Sequence, residues 1–233
     1  MLRNFIFSTI FFSGIAFISI VFLPALFLPN KVVLIGGKLM GYWTGFCLKK
    51  ILSAEIEVVG KENIINDKKF FIVSSHQSMF ETFYLQTIFK SPIFILKKEL
   101  MLIPIFGWYL KKIGSISIKR NKVSKDNLGF FDDIRKTINA SDRPLIIFPQ
   151  GTRTKPEERP PFKKGATRIY EELKISCQPV AINSGNIWPK KGPKKSNEKV
   201  TISILPSLNY GLDKDKFLKN LEDIIYSELD RIN

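Results

Sequence analysis

The sequence predicts a mixed, largely parallel α/β sheet flanked by helices, with an N-terminal membrane-anchoring helical segment before it. Three observations predict this arrangement: a long uncharged apolar run near the N-terminus, short β-branched or aromatic runs after Gly60, and amphipathic segments between those runs. We expect an anchor over residues 1–54 and one larger domain over residues 55–233. Since 45% of the residues are hydrophobic and 24% are charged, general disorder is excluded.

The N-terminal segment is apolar enough to enter a membrane. Residues Phe5 to Leu28 carry no charge, and about 20 such residues suffice for a transmembrane helix. The next apolar stretch, Val32 to Leu48, is rich in glycine and contains Lys38, which suits a helix lying in the interface. The length of the first run disfavours a cleaved signal peptide. Spanning the bilayer and forming a hairpin in one leaflet both remain open; in a spanning arrangement, the cations that follow place the larger domain inside the cell.

After Gly60, runs of strand composition alternate with amphipathic helical segments. The predicted strands are Glu55–Val59, Phe70–Ser74, Ile93–Leu96, Ser115–Ile118, Leu145–Phe148, Val180–Asn183 and Val200–Leu205. Two of the predicted helices run from Ser124 to Ala140, with Ser124 as the N-cap, and from Lys214 to Arg231. The segment Lys190 to Lys199 is rich in Lys, Gly, Pro and Asn, and it predicts an exposed loop.

The chain is strongly basic, with 36 Lys and Arg residues against 21 Asp and Glu residues and a net charge of +15. Such an excess favours an anionic partner: a membrane surface, a phosphorylated substrate or nucleic acid. Nucleic acid is disfavoured, because no basic helix and no aromatic-plus-basic stacking motif is present. Cys47 and Cys177 predict neither a disulfide framework nor a zinc site, which fits a reducing, cytosolic space.

The first candidate for chemistry is the stretch from Ser74 to Thr82, which holds the only histidine, His76, and the carboxylate Glu81. Histidine suits general-base work near neutral pH, and a carboxylate on its other ring nitrogen fixes its tautomer. In a regular helix the two side chains would point about 140° apart. Pairing therefore requires His76 in the turn before a helix and Glu81 in its first turn. The alternative is a capping box in which Glu81 accepts from the backbone N–H of Ser78, and the spacing alone favours it.

The second candidate follows the strand Leu145–Phe148, which stops at Pro149. Gly151 allows a sharp turn with exposed backbone N–H groups, and Arg153 offers a planar fork suited to a phosphate. The segment Phe162-Lys163-Lys164-Gly165-Ala166 comes shortly afterwards. The structural alternative is an ordinary strand-turn with a surface arginine.

Two further stretches complete the pattern. Gly114 to Arg120 is a strand that delivers the cations Lys119 and Arg120 at its end, unless it is only an edge strand with solvated charges. Pro179 leads into a buried strand that carries no chemistry of its own.

The order and spacing of these four stretches resemble the glycerolipid acyltransferase family, specifically the lysophosphatidic acid acyltransferases. The matching blocks are His76-x4-Glu81 for His-x4-Asp, Gly114 to Arg120 for the second block, Phe148-Pro149-Gln150-Gly151-Thr152-Arg153 for Phe-Pro-Glu-Gly-Thr-Arg, and Pro179 for the fourth. The resemblance covers roughly Val58 to Ser207. Glu81 stands for the family's Asp, Gln150 for its Glu, and Lys119 for a residue that is often acidic.

The resemblance implies acyl transfer from acyl-CoA or acyl carrier protein to the sn-2 hydroxyl of 1-acyl-sn-glycerol-3-phosphate, giving phosphatidic acid for phospholipid biosynthesis. It implies a membrane-associated enzyme, with its catalytic domain on the cytoplasmic side and with neither a metal nor a cofactor. It also implies that His76 is the general base oriented by Glu81, and that backbone N–H groups near Gln77 or Gly151 hold the oxyanion. The implied phosphate-binding residues are Lys119, Arg120, Gly151, Thr152 and Arg153, with Gln150 and Pro179 as supports of the substrate site.

Two alternatives remain open. The same chemistry would serve another acceptor, such as a lyso-ornithine lipid, whose lack of a phosphate would account for the lost charge at Gln150. The other alternative is a non-catalytic, basic membrane-binding relative, because the first and third blocks both carry substitutions. The sequence does not determine the acyl donor, the chain length or the oligomeric state.

Overall fold

A computed structural model of the protein describes residues 2–66, 69–118 and 129–233. Its helices are α1 (Leu2–Val21), α2 (Asn30–Ile51), α3 (Phe80–Ile88), α4 (Phe106–Lys112), α5 (Phe130–Asn139), α6 (Gly165–Leu173) and α7 (Lys214–Ile232). Its strands are β1 (Glu55–Val59), β2 (Phe70–Ser74), β3 (Ile93–Lys97), β4 (Ile116–Ile118), β5 (Leu145–Ile147), β6 (Ser176–Ile182) and β7 (Lys199–Ile204). The predicted N-cap at Ser124 lies outside the described residues.

The strands form one seven-stranded sheet in the order β1-β7-β6-β2-β5-β3-β4. Every neighbouring pair is parallel except β6 and β7, which run antiparallel. Helices α1 to α4 pack on one face, and α5 to α7 pack on the other. Successive β2 residues alternate between these faces: Phe70 and Ile72 join the first hydrophobic cluster, and Phe71 and Val73 join the second. The predicted mixed, largely parallel α/β fold is confirmed.

Strand β6 starts at Ser176, four residues before the predicted start at Val180. Pro179 therefore lies inside a central strand, although proline lacks the N–H that a ladder uses. The strand tolerates the proline because of a bulge in its pairing with the segment that begins at the end of β7. Val180 pairs with Ile204 and Cys177 pairs with Leu208, so this segment has one more residue than β6 between the two pairs. This bulge leaves the ladder locally open, and the Pro179 carbonyl accepts from the N–H of Leu205 at 3.1 Å.

Helices α1 and α2 form an antiparallel hairpin that lies against the body of the protein. On the inner side of α1, Phe7 and Phe11 are fully buried in the same cluster as the sheet. The end of α1 is held as well, because Tyr109 of α4 donates to the Ser19 carbonyl at 2.7 Å. Among the described helices, only Leu2–Val21 is long and apolar enough to cross a membrane.

The outer side of the hairpin is apolar and exposed. Its exposed large side chains are Leu2, Phe5, Ile6, Ile10, Phe12, Phe17, Ile20, Val21, Phe27, Leu28, Ile35, Leu39, Tyr42 and Phe46. A contiguous patch of this kind marks a membrane or protein contact surface. Both faces of helix α1 are therefore apolar: one is buried in the protein core and the other is exposed.

Glycines bring α2 close to α3, the helix that follows His76. A Cβ on Gly41 would stand 2.6 Å from the Phe83 carbonyl oxygen, and one on Gly45 would stand 2.7 Å from the Tyr84 ring. Both positions are too crowded for any side chain, so the backbone of α2 lies directly on α3. The hairpin thus supports the element that carries Glu81.

Candidate active site

The turn that carries His76 is fixed to the end of strand β6. Its first residue, Ser75, donates its backbone N–H to Val180 at 3.0 Å. The Ser75 hydroxyl accepts from the Ile182 N–H at 2.8 Å and donates to the Ile182 carbonyl at 3.2 Å. His76 therefore lies where the carboxyl ends of two neighbouring parallel strands meet, the edge at which open α/β sheets bind ligands.

His76 and Glu81 are in contact across the start of α3. His76 lies in the turn before the helix and Glu81 in its first turn, as pairing requires. His76 Nδ1 is 3.5 Å from Glu81 Oε1; the Glu81 side chain is fully buried, and that of His76 is 13% exposed. This distance is longer than a hydrogen bond, and within the described part of the chain neither Nδ1 nor the second carboxylate oxygen, Oε2, has a hydrogen-bond partner. Catalytic hydrogen bonds are often long in the absence of substrate.

Glu81 also caps its own helix. Its Oε1 accepts from the backbone N–H groups of Gln77 at 2.7 Å and of Ser78 at 2.9 Å. The Ser78 hydroxyl accepts from the N–H of Phe80 at 3.1 Å. The capping arrangement and the contact with His76 are therefore both present, and they share one oxygen atom.

The segment after strand β5 closes over His76. The Phe148 ring stacks on the imidazole, with centroids 4.1 Å apart and planes inclined by 18°. Beyond Phe148 the chain turns, and the N–H of Thr154 donates to the His76 carbonyl at 2.8 Å. The first and third blocks of the sequence thus form one unit, and Thr152 and Arg153 are held beside the histidine turn.

Gly151 is the pivot of this turn. Its φ is +72°, a conformation that favours glycine, and its N–H donates to the Phe148 carbonyl at 3.0 Å. A Cβ at this position would stand 2.9 Å from Nζ of Lys163. Lys163 therefore adds a cation at the turn. Its segment, Phe162 to Ala166, follows the third block in the sequence without a predicted role in the site.

A second unassigned cation reaches the same turn from further along the chain. Lys190 donates from Nζ to the Thr152 hydroxyl at 2.9 Å and to the Arg153 carbonyl at 3.2 Å. Its segment has the composition of an exposed loop, so no local signal in the sequence marks it as part of the site.

Gln150 is buried behind the turn, only 5% exposed. Its side chain interacts with the Tyr226 hydroxyl group. Its Oε1 has no hydrogen-bond partner among the described residues. Burial raises the pKa of Tyr226 to about 12, against a smaller lowering by Gln150, and the Tyr226 O–H is directed at the Pro160 carbonyl. Gln150 thus joins the turn to α7.

The remaining predicted residues fall in three places. Pro179 pairs with Val73 at the end of β2, beneath the histidine turn. Lys119 and Arg120 lie outside the described residues. The N–H groups of Gln77 and Gly151, expected to hold an oxyanion, are engaged with Glu81 and Phe148.

The sequence and the fold of this chain both match those of known proteins. The sequence model of the acyltransferase family matches residues 55–183, more than half of the chain. The 1-acyl-sn-glycerol-3-phosphate acyltransferase of Pseudomonas aeruginosa is 32% identical over 172 residues, 72% of this chain and 65% of the relative. The enzyme of that name from Helicobacter pylori is 34% identical over 162 residues, 67% of each. The matched part thus spans about two thirds of these curated relatives.

A solved structure shows the same fold. The crystal structure of the 1-acyl-sn-glycerophosphate acyltransferase PlsC from Thermotoga maritima superposes with a TM-score of 0.78 at 21% identity, covering 100% of this chain and 98% of that one. The family match, the relatives and the shared fold point the same way: this chain belongs to the acyltransferase family.

Proposed function

We propose that the chain transfers an acyl group from a thioester, acyl-CoA or acyl carrier protein, to the sn-2 hydroxyl of 1-acyl-sn-glycerol-3-phosphate. The observation that carries the proposal is the contact between His76 Nδ1 and Glu81 Oε1 inside a turn covered by Phe148 to Thr154. Relatives named for this acceptor are 32% and 34% identical to this chain over the 172 and 162 matched residues.

The geometry assigns a role to each nitrogen of His76. Because Nδ1 faces a carboxylate, the favoured tautomer carries its proton there and leaves Nε2 as the base. Nε2 takes the proton of the acceptor hydroxyl as the oxygen attacks the thioester carbonyl. The tetrahedral intermediate then expels the thiolate, which recovers the proton from His76. General-base catalysis of this kind supplies about 10²–10⁴-fold.

The turn from Gly151 to Arg153 supplies the candidate site for the acceptor phosphate. The Arg153 guanidinium can bind a phosphate through two parallel hydrogen bonds. The hydroxyl of Thr152, the preceding residue, belongs to the same turn. Lys119 and Arg120 belong to this proposal through the family resemblance alone. An acceptor without a phosphate, such as a lyso-ornithine lipid, would leave these charges without a partner.

The α1–α2 hairpin suits attachment to the cytoplasmic leaflet, where both lysolipid and thioester donors are found. Its inner face belongs to the protein core and its outer face is apolar and exposed. An arrangement in which the hairpin enters one leaflet lets the catalytic edge stay close to lipid headgroups. A free-standing span is less compatible with the burial of Phe7 and Phe11.

A direct assay tests the proposal. Membranes containing the chain, supplied with labelled acyl-CoA and lysophosphatidate, should form phosphatidic acid, and His76→Ala should abolish the reaction without loss from the membrane. Arg153→Ala should weaken use of lysophosphatidate. Substantial activity in His76→Ala, or equal use of lyso-ornithine lipid in the wild type, would contradict the proposed mechanism or acceptor.

A further inference from the structure

The segment that follows strand β6 is held against the histidine turn. The N–H of Gly185 donates to Oε1 of Gln77, the residue after His76, at 3.0 Å. A Cβ on Gly185 would stand 2.9 Å from the Gln77 Cβ, so the two backbones are in close contact. The chain therefore starts its next loop from a position fixed relative to the candidate base.

That loop, residues 187–195, is closed at its base by a hydrogen bond from the Lys195 N–H to the Ile187 carbonyl at 2.8 Å. Trp188 is buried and meets the rings of Phe7 and Phe11 of α1 edge-to-face, with centroids 5.1 Å and 5.0 Å away. The 187–195 loop is thus packed on the membrane hairpin.

A reciprocal pair of hydrogen bonds fixes the far side of the loop. Asn4 of α1 donates to the Lys194 carbonyl at 3.0 Å and accepts from the Lys194 N–H at 2.6 Å. The Lys194 ammonium group also donates to Ser8 at 3.1 Å. With both sides tied, the loop presents the intervening residue Lys190 toward Thr152 and Arg153.

The charges around this turn favour an anionic ligand. Lys190 lies at Thr152 and Arg153, and Lys163 lies at Gly151 on another side. The turn from Phe148 to Thr154 has no acidic residue, because position 150 carries an amide where the family carries a carboxylate. Glu158 interacts electrostatically with Lys190 but is itself paired with Lys155. A bound anion would therefore still relieve the repulsion among Lys190, Arg153 and Lys163.

We propose that Lys190 is a positioning residue for the acceptor phosphate. Two of its three ammonium hydrogens hold the Thr152 hydroxyl and the Arg153 carbonyl in place. The third has no acceptor among the described residues and could bind the phosphate. This inference rests on the proposed function, because it assumes that the turn receives a phosphomonoester. The α1–α2 hairpin then helps to set the position of the phosphate site, because Asn4 binds Lys194 of the loop and Phe7 and Phe11 pack against Trp188.

The test compares Lys190→Ala with Lys191→Ala, which removes a neighbouring exposed lysine. For lysophosphatidate, Lys190→Ala should raise KM by about 10- to 100-fold, the range of a charge-assisted hydrogen bond, while kcat changes less than about threefold. Lys190→Arg should restore most of the loss, and Lys191→Ala should match the wild type.

Binding measured without turnover separates this inference from the proposed function. In a His76→Ala background, the Kd for lysophosphatidate should rise 10- to 100-fold on adding Lys190→Ala and not on adding Lys191→Ala. If the wild type fails to acylate lysophosphatidate but this difference in Kd remains, the proposed function fails and the role of Lys190 stands. Equal Kd values for the two lysine variants, or a loss confined to kcat and thermal stability, would overturn the role of Lys190.

Discussion

The Oε1 atom of Glu81 lies 3.5 Å from Nδ1 of His76 while it accepts hydrogen bonds from the N–H groups of Gln77 and Ser78. These two amides hold the carboxylate in one orientation. The capped helix start therefore presents a fixed carboxylate group to the histidine. Helix capping and orientation of the base are not alternatives here, because the same oxygen serves both.

Glu81→Gln should separate the two roles. The amide oxygen of glutamine can still accept from Gln77 and Ser78, so the melting temperature should stay near that of the wild type. The negative charge beside His76 is lost, and we expect kcat to fall by about 10²-fold or more. Glu81→Ala removes both roles and should lower kcat and stability together, as measured by turnover and thermal unfolding in detergent. Near-normal turnover by Glu81→Gln would show that Glu81 acts only as a cap.

Local patterns in the sequence predicted much of the fold. Six of the seven strands lie within one residue of their predicted bounds, because runs such as Phe70–Ser74 carry their strand signal internally. For the seventh strand, β6, the predicted start at Val180 is wrong, because proline is rarely found inside a central strand. The bulge that accommodates Pro179 depends on pairing with the distant residue Leu208. The five-residue spacing from His76 to Glu81 is also a local signal: it allows the two side chains to pair only if His76 precedes the helix, as it does in the structure.

Contacts between distant segments could not be predicted. Lys190 is 38 residues from Thr152, and its own neighbourhood resembles an exposed loop. Which face of α1 is buried could not be predicted either. Phe7 and Phe17 are the same residue type in the same apolar helix, and they differ only in what packs against them. Single-sequence periodicity reports the polarity of a face, not its partner.

Gly151→Ala should impair both stability and activity. The left-handed backbone at φ +72° costs about 1–2 kcal/mol for a residue with a Cβ, and that Cβ would displace Lys163. Gly211→Ala is a matched control, because Gly211 also has a positive φ, +125°, lies outside the 187–195 loop, and would place a Cβ within 4 Å of none of the described residues. Both variants should lose stability in thermal unfolding, whereas only Gly151→Ala should raise KM for lysophosphatidate. Equal KM values for the two variants would show that the Gly151 turn does not contribute to acceptor binding.

Gln150→Glu restores the family residue in a site that is 5% exposed, where the Tyr226 O–H is already directed at Pro160. Burial raises the pKa of such a carboxyl, so its neutral form is favoured in the folded protein. The loss of stability should therefore be small below about pH 4 and grow as the pH rises above the unfolded value of about 4.3, reaching about 1–3 kcal/mol.

Thermal unfolding at about pH 4 and about pH 8 measures this effect, with the exposed substitution Asn220→Asp as the control for added charge. A Gln150→Glu melting temperature that matches the control at both pH values would contradict the expected burial penalty. It would mean that the cations of the turn hold the carboxylate in its charged form.

Phe7→Ala and Phe17→Ala, two identical changes on α1, should have opposite consequences. Phe7 is fully buried against Trp188, so its truncation should lower the free energy of unfolding by about 3–5 kcal/mol. Phe17 is 67% exposed on the outer face, so its truncation should leave stability nearly unchanged in detergent. It should instead weaken binding to phospholipid vesicles roughly 10-fold, through the lost transfer of one aromatic ring into lipid. If α1 spanned the bilayer apart from the protein body, Phe7→Ala would be as mild as Phe17→Ala in unfolding. A large difference between them would instead mean that the membrane helix is also a core helix, and that its removal would unfold the catalytic body rather than release it in soluble form.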